Sequence, residues 1–296
     1  MEGKNHLEHI TLKHNPLTAS LMKAVLWPRS RRTEAYIFVA TTGRSGTASL
    51  ERILSRLDRC ASFHECYPIM HDRVMQAMNN QQPTAARNTY KFIKAINIRR
   101  SAIGHKYYAE TNHMFIKSFA DAAAEDLGKK LKVIHLIREP VAVAKSITTL
   151  NHYPGTEMGN KWYLDYRAPG NLIQIADILD ADERFSHPFF KSLWYWYEIE
   201  TRVEEWRTRH EHIAVSTLKT EDLNNEKKLC ALFDHMGLDY DTQAVTEVTG
   251  TRENRKLSLK RKEAGEIGDT DSMHEHFKDM LKKEGYRLPA SLSLFD

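Results

Sequence analysis

Cysteine is scarce: three residues in a chain of 296, too few and too irregularly placed for a disulfide framework. Cys60, Cys66 and Cys230 show no zinc-site spacing and suit a reducing compartment. No stretch approaches the ~18 uninterrupted apolar residues of a membrane span. The opening residues, MEGKNHLEHITLKHNPL, carry no apolar core of a signal peptide. The expectation is a cytoplasmic chain with no membrane span. Low-complexity tracts and internal repeats are missing. The 15 histidines include no HExxH or other metal-ligand spacing, so no metal is expected. Charge of one sign is nearly balanced by the other, leaving a net +4. That mildly basic balance suits a small anionic ligand and is too weak to argue for nucleic acid. Nothing in the sequence speaks to oligomeric state.

A hydrophobic fraction of 41% is enough to bury a sizeable core. Tyr36 to Ala40 reads as a short, buried, β-branched strand, followed from Gly46 to Leu57 by helical spacing of Leu50, Ile53, Leu54 and Leu57. CASFHE, from Cys60, reads as a second strand, and HMFIKSF, around Phe115 and Ile116, as a third. Asp121 to Gly128 is a short helix ended by glycine. KLKVIHLI is a buried strand stopping at Arg138, with helical spacing resuming from Val141. Phe189 to Arg209 reads as a helix, HIAVST as another strand, and NNEKKLCALFDHMGLD as a helix capped by Gly237. Strands alternating with helices predict a parallel sheet covered on both faces, with ligands beyond the carboxyl ends of the strands. LTASLMKAVLWP with its basic flank RSRR reads as a packing helix, with a membrane-surface segment as the alternative.

The stretch TTGRSGTASL joins the first strand to its helix. A glycine turn there points several backbone N–H groups at one spot, where the helix adds about half a positive charge. Gly43 and Gly46 let the backbone wrap closely, and Ser45, Thr47 and Ser49 add hydroxyl donors around Ala48. Arg44 adds a planar cationic fork suited to phosphate or sulfate. The turn departs from the nucleotide-triphosphate pattern, since Thr47 and not lysine follows Gly46. Arg138, at the end of the later strand, suits a second anion, where a magnesium enzyme would place a carboxylate. Ser146 stands eight residues further on. The two reach one phosphate only if the helix after the strand folds back past the ligand.

TTGRSGTASL resembles the 5′-phosphosulfate loop of the PAPS-dependent sulfotransferases, and HLIREPVAVAKS resembles their 3′-phosphate motif, with its Arg and Ser at this separation. HIAVSTLKTEDL followed by a helix and MGLDY is similar to a later landmark of the family. The three occur in family order over residues 36 to 240. The resemblance implies a P-loop-like three-layer α/β domain with a central parallel sheet flanked by helices. It implies 3′-phosphoadenosine 5′-phosphosulfate as donor, 3′-phosphoadenosine 5′-phosphate as product and an acceptor hydroxyl. On this reading residues 1–34 are an extension, 35–296 form a single domain, and 151–188 are a variable insertion on the acceptor side.

Sulfuryl transfer needs in-line geometry, neutralised charge and removal of the acceptor's proton. Arg44 stands where family members carry Lys or Arg. Lys117, read as ending the third strand, is a second group for the bridging oxygen. Two residues after it, where cytosolic small-molecule members place a catalytic His, this chain has Phe119. The tyrosyl-protein and many carbohydrate members use a Glu after the second strand, which is Glu65 here. His64 beside it is intrinsically better tuned near neutral pH, but neighbours on a strand face opposite sides. Only one of the pair can then face the site; the resemblance makes Glu65 the expected base, with His64 the alternative, and a carbohydrate or small hydroxylated metabolite the favoured acceptor. In the run 252 to 262, Arg252, Arg255 and Lys256 are candidates for the 3′-phosphate. Trp162, Tyr163 and Tyr166 are candidates to line an acceptor cleft, while LWYWYEIE reads as core helix. The alternatives are a nucleotide kinase or NTPase with a degenerate P-loop, and a non-catalytic anion-binding protein of the same fold.

Overall fold

The computed structural model describes residues 16–249 and 267–295. Arg252, Arg255 and Lys256 lie outside the described residues. Five strands form one sheet: β1 (Ala35–Ala40), β2 (Cys60–His64), β3 (Tyr107–Thr111), β4 (Leu131–Ile137) and β5 (Ala214–Lys219). Their order is β2-β3-β1-β4-β5, and every pairing is parallel. β1 is central and wholly buried because all six residues, AYIFVA, are apolar. Alternation divides them between two cores. Tyr36, Phe38 and Ala40 join the larger core, which takes in the buried apolar residues of the long helix Pro188–Arg209. Ala35, Ile37 and Val39 join the smaller one, with Leu50, Ile53 and Leu54 of the helix Thr47–Leu54 and Leu229, Leu232 and Phe233 of the helix Glu226–His235. Helix, sheet and helix make three layers, so the expected α/β class with a parallel sheet is what the chain adopts. Leaving β1, the chain builds β2 and β3 on one side and β4 and β5 on the other. The carboxyl end of β1 is thus the point where strand order reverses, which is where such sheets open a crevice.

The third strand is not where its sequence was expected. Tyr107–Thr111, YYAET, pairs with β1 and β2, while Phe115–Phe119 forms a π-helical turn. The sequence YYAET conceals a strand because Glu110 reads as a surface residue. Here Glu110 is fully buried, with its carboxylate bonded by Lys94 Nζ at 2.5 Å, Asn112 Nδ2 at 2.9 Å and Tyr108 Oη at 2.8 Å. Apolar Phe115, Ile116 and Phe119 are all buried, at the one- and four-residue spacing of a helical turn. β5 begins at Ala214 rather than His212, two residues later than the pattern HIAVST suggested. Gly237 follows its helix with φ +60°, as a terminating glycine should.

The helix Pro16–Arg29 packs Ala19 and Leu26 against Ile96. Among the described residues no helix is long and apolar enough to cross a membrane. Within 151–188, read as irregular, two short helices form, Glu157–Trp162 and Ala176–Ala181. Glu198, buried on the long helix, holds this segment by accepting from the backbone N–H groups of Leu172 and Ile173 at 3.0 and 2.8 Å.

Candidate active site

The turn after β1 is wound in the left-handed region at three residues: Gly43 (φ +79°), Arg44 (+58°) and Gly46 (+85°). A non-glycine residue held there marks a backbone constrained by its surroundings. Thr42 and Ser45 brace it from inside, both donating to the Gly43 carbonyl, at 2.8 and 3.0 Å. The Ser45 hydroxyl, fully buried, therefore serves the loop itself. Ala48 is exposed, and Thr47 and Ser49 are half-buried in the first turn of the following helix. A Cβ on Gly46 would lie 2.8 Å from Leu223, and one on Gly43 would lie 3.1 Å from the His113 ring. Gly43→Ala is therefore expected to cost about 1–2 kcal/mol for the left-handed backbone alone. Thermal unfolding should show it as a midpoint lowered by roughly 2–8 °C. An unchanged midpoint would mean that the loop is free to relax.

Arg138 and Ser146 come to this loop. Arg138 Nη1 donates to the Arg44 carbonyl at 2.7 Å, and Arg44 Nε donates to Ser146 Oγ at 3.1 Å. Ser146 sits two turns into the helix Pro140–Thr149, whose first turn is capped by Glu139 accepting from Val141 N and Ala142 N. The helix does fold back past the loop. Two segments distant in sequence therefore place two guanidinium groups, a buried hydroxyl and a helix N-terminus together. Thr41 Oγ1, at the root of the loop, is buried with no partner among the described residues.

Beside the loop stands a second group of side chains. Glu65 follows the last residue of β2 with φ +51°. It has left the strand, so the alternation that set it opposite His64 does not apply. His64 is turned to β3, its Nδ1 3.0 Å from both the carbonyl and the hydroxyl of Thr111. Lys117 is not a strand-end lysine: it lies in the π-helical turn, 1% exposed. Its ammonium position meets the Trp162 carbonyl at 2.5 Å, Tyr195 Oη at 2.9 Å and His113 Nδ1 at 2.9 Å. With those partners it stands at the Nδ1 side of His113, opposite the Nε2 that faces Glu65.

His113 is the residue that the sequence pattern missed. It lies two positions beyond β3, with Nε2 3.6 Å from Glu65 Oε1 and its ring stacked on Trp162 at 6.0 Å. Burial is the main force pushing its pKa well below 6.5, with positive charge on Lys117, His64, Arg44 and His71 adding to it. Burial likewise pushes Lys117 well below 10.5, opposed by Glu65. Recognising YYAET as a strand would have set His113 beside β1 at the sheet's carboxyl edge. Trp162 and Tyr163 border this group: Tyr163 packs on His113 and Tyr195 at 6.0 and 4.7 Å. Tyr166 does not. It is buried against Trp194, with its hydroxyl bonded to Asp180 at 2.5 Å. LWYWYEIE is core, as its pattern suggested. Burial is the main cause that raises the pKa of the Cys66 thiol, which disfavours the reactive thiolate.

The site can hold an extended dianionic ligand across the loop and Arg138, and can accept a proton at His113 and Glu65. No protein-family model and no curated protein sequence matches this chain. Among solved structures it is similar to a sulfotransferase domain from the curacin biosynthetic pathway, at 12% identity and TM-score 0.44, covering 86% of this chain and 99% of that one. It is also similar to a sulfotransferase domain from the Synechococcus PCC 7002 olefin synthase, at 17% identity and TM-score 0.46, covering 86% and 95%. A third is a sulfotransferase from Alicyclobacillus acidocaldarius, at 14% identity and TM-score 0.40, covering 76% and 88%.

Proposed function

We propose that this protein is a sulfotransferase that moves a sulfuryl group from 3′-phosphoadenosine 5′-phosphosulfate to an acceptor hydroxyl. The observation that carries the reading is the meeting of the Gly43–Ser49 loop with Arg138 and Ser146, linked through Arg44. A donor with anionic groups at its 5′ and 3′ positions requires two adjoining anion sites, and these residues supply both. The left-handed loop, with its buried Thr41 hydroxyl that has no partner among the described residues, is the kind of cradle such a group fits. Backbone N–H groups of residues 44–47, with Arg44, would hold the 5′ end; Arg138 and Ser146 would hold the 3′-phosphate. When bound, the donor supplies a sulfuryl group whose bond to the phosphate oxygen breaks as the acceptor oxygen bonds to sulfur.

The chain's own residues then have separable tasks. Arg44 offsets the charge that develops on the leaving phosphate. His113 Nε2 and the Glu65 carboxylate, 3.6 Å apart, receive the acceptor's proton between them. Trp162 and Tyr163 border the position of the acceptor and keep water from the ring of His113. With a histidine at the site beside Glu65, a phenol joins the carbohydrate and small hydroxylated metabolites favoured from the sequence. The acceptor is a hydroxyl compound, of carbohydrate, small-metabolite or phenol type.

Calorimetry with 3′-phosphoadenosine 5′-phosphate in the absence of magnesium tests the reading. A dissociation constant on the order of 1–10 μM, about −8 to −7 kcal/mol, is expected. Binding of ATP with magnesium in its place would replace this reading with a kinase or NTPase.

A further inference from the structure

Lys117 has three polar neighbours, and the protons between them can be counted. Tyr195 Oη donates its single proton to the Thr42 carbonyl at 3.0 Å. Towards Lys117 it therefore accepts, and the Trp162 carbonyl accepts as well. Two N–H bonds of Lys117 are thereby assigned. The third neighbour, His113 Nδ1, lies at 2.9 Å, close enough for one shared proton and no more. Either an ammonium donates to Nδ1, or Nδ1–H donates to the lone pair of an amine. In the first case Nε2 carries the proton and points N–H at Glu65. In the second Nε2 is bare.

Solvation separates the two cases. Lys117 is 1% exposed, and no carboxylate lies within 4 Å of it among the described residues. The nearest acidic group acting on it, Glu65, is reached across the imidazole of His113. An ammonium so placed gives up its hydration for three neutral acceptors, at a cost of several kcal/mol. An amine satisfies the same three neighbours with two donated bonds and one accepted.

We propose that Lys117 is held as a neutral amine that accepts Nδ1–H of His113, and so fixes the tautomer in which Nε2 is the proton acceptor facing Glu65. Burial lowering the pKa of both groups agrees with it. The other groups facing the pair are Glu65, His64, His71 and Arg44, with the rings of Trp162, Tyr163 and Tyr195. Arg44, His64 and His71 disfavour an extra proton on the ring, as burial does. Lys117 is then a positioning residue that acts through His113. Its part in turnover rests on the sulfotransferase reading, but the tautomer itself does not.

Nitrogen-15 NMR of the histidine rings in the full chain near neutral pH decides the matter, with His113→Gln identifying the resonances. A protonated Nδ1 and bare Nε2 are expected. A protonated Nε2 in the wild type overturns the proposal without any variant of Lys117. In Lys117→Met, Nδ1–H loses its acceptor and the ring should change to the Nε2–H tautomer. Turnover should then fall by ~100-fold or more while affinity for 3′-phosphoadenosine 5′-phosphate stays within ~2-fold. A Lys117→Met protein with unchanged tautomer also sinks the proposal. Failure of the wild type to bind the nucleotide would count against the sulfotransferase reading and leave the tautomer result standing.

Discussion

Arg138→Ala is expected to lower affinity for 3′-phosphoadenosine 5′-phosphate about 100-fold, with the fold intact. A charge-assisted, forked contact to a phosphate is worth roughly 1.5–3 kcal/mol, and ~2.7 kcal/mol is a factor of ~100. The substitution also removes the 2.7 Å bond from Arg138 Nη1 to the Arg44 carbonyl, which links the strand end to the loop. Both effects act on nucleotide binding in the same direction. The backbone carbonyl of Arg138, which accepts from Trp196 Nε1 at 2.9 Å, is untouched by truncation of the side chain. Core packing therefore survives, and the thermal midpoint should move little. Arg138→Lys keeps the charge and loses the fork, so it should recover only part of the affinity. Calorimetry on the three proteins reads this directly. Equal affinities for wild type and Arg138→Ala would remove the second anion site, and with it the case for a donor charged at both ends.

The second large effect is expected at His113. His113→Gln should lower turnover by roughly 10²–10⁴-fold, the usual contribution of a positioned general base, with nucleotide affinity unchanged within ~2-fold. Glu65→Gln should reduce turnover less than His113→Gln, because Glu65 stabilises the protonated ring and the amide retains a hydrogen-bonding oxygen. The reverse order would make Glu65 the base. The pH profile provides a second reading. A base works in its unprotonated form, and burial holds His113 well below 6.5. The acid limb of turnover should therefore fall below pH 6.5, not at it. The same shift has a sign for stability. The unfolded chain takes up a proton on this histidine near 6.5, and the folded chain takes it up only at lower pH. Its contribution to stability is then complete above pH 6.5 and is lost as pH falls toward the folded value. A limb in turnover at or above 6.5 would contradict the buried, cation-surrounded setting of the ring.

By itself the sequence determined the class of this protein. AYIFVA and KLKVIHLI are too apolar and too short for anything but buried strands. The glycines at 43 and 46 sit where only a left-handed turn into a helix uses both. Those are local properties, set by side-chain transfer energy and backbone sterics over a few residues. They marked a candidate anion loop after the first strand and a candidate arginine and serine about ninety to a hundred positions further on. Tertiary structure decided how these parts meet. Arg44 reaches Ser146 across 102 positions of the chain, a contact that strand order and the return of one helix create. It also decided which polar residues are inside. Glu110 and Lys117 are both charged residue types, and an isolated charge avoids burial. Each is buried here because partners from elsewhere in the chain, Lys94 for one and Trp162 and Tyr195 for the other, take up its hydrogen bonds. With the third strand placed at HMFIKSF, YYAET was passed over, and His113 was lost with it. Periodicity registers the energy of burying apolar surface. It is blind to a polar group whose burial is offset by a partner far away in sequence, and here such groups surround the candidate site.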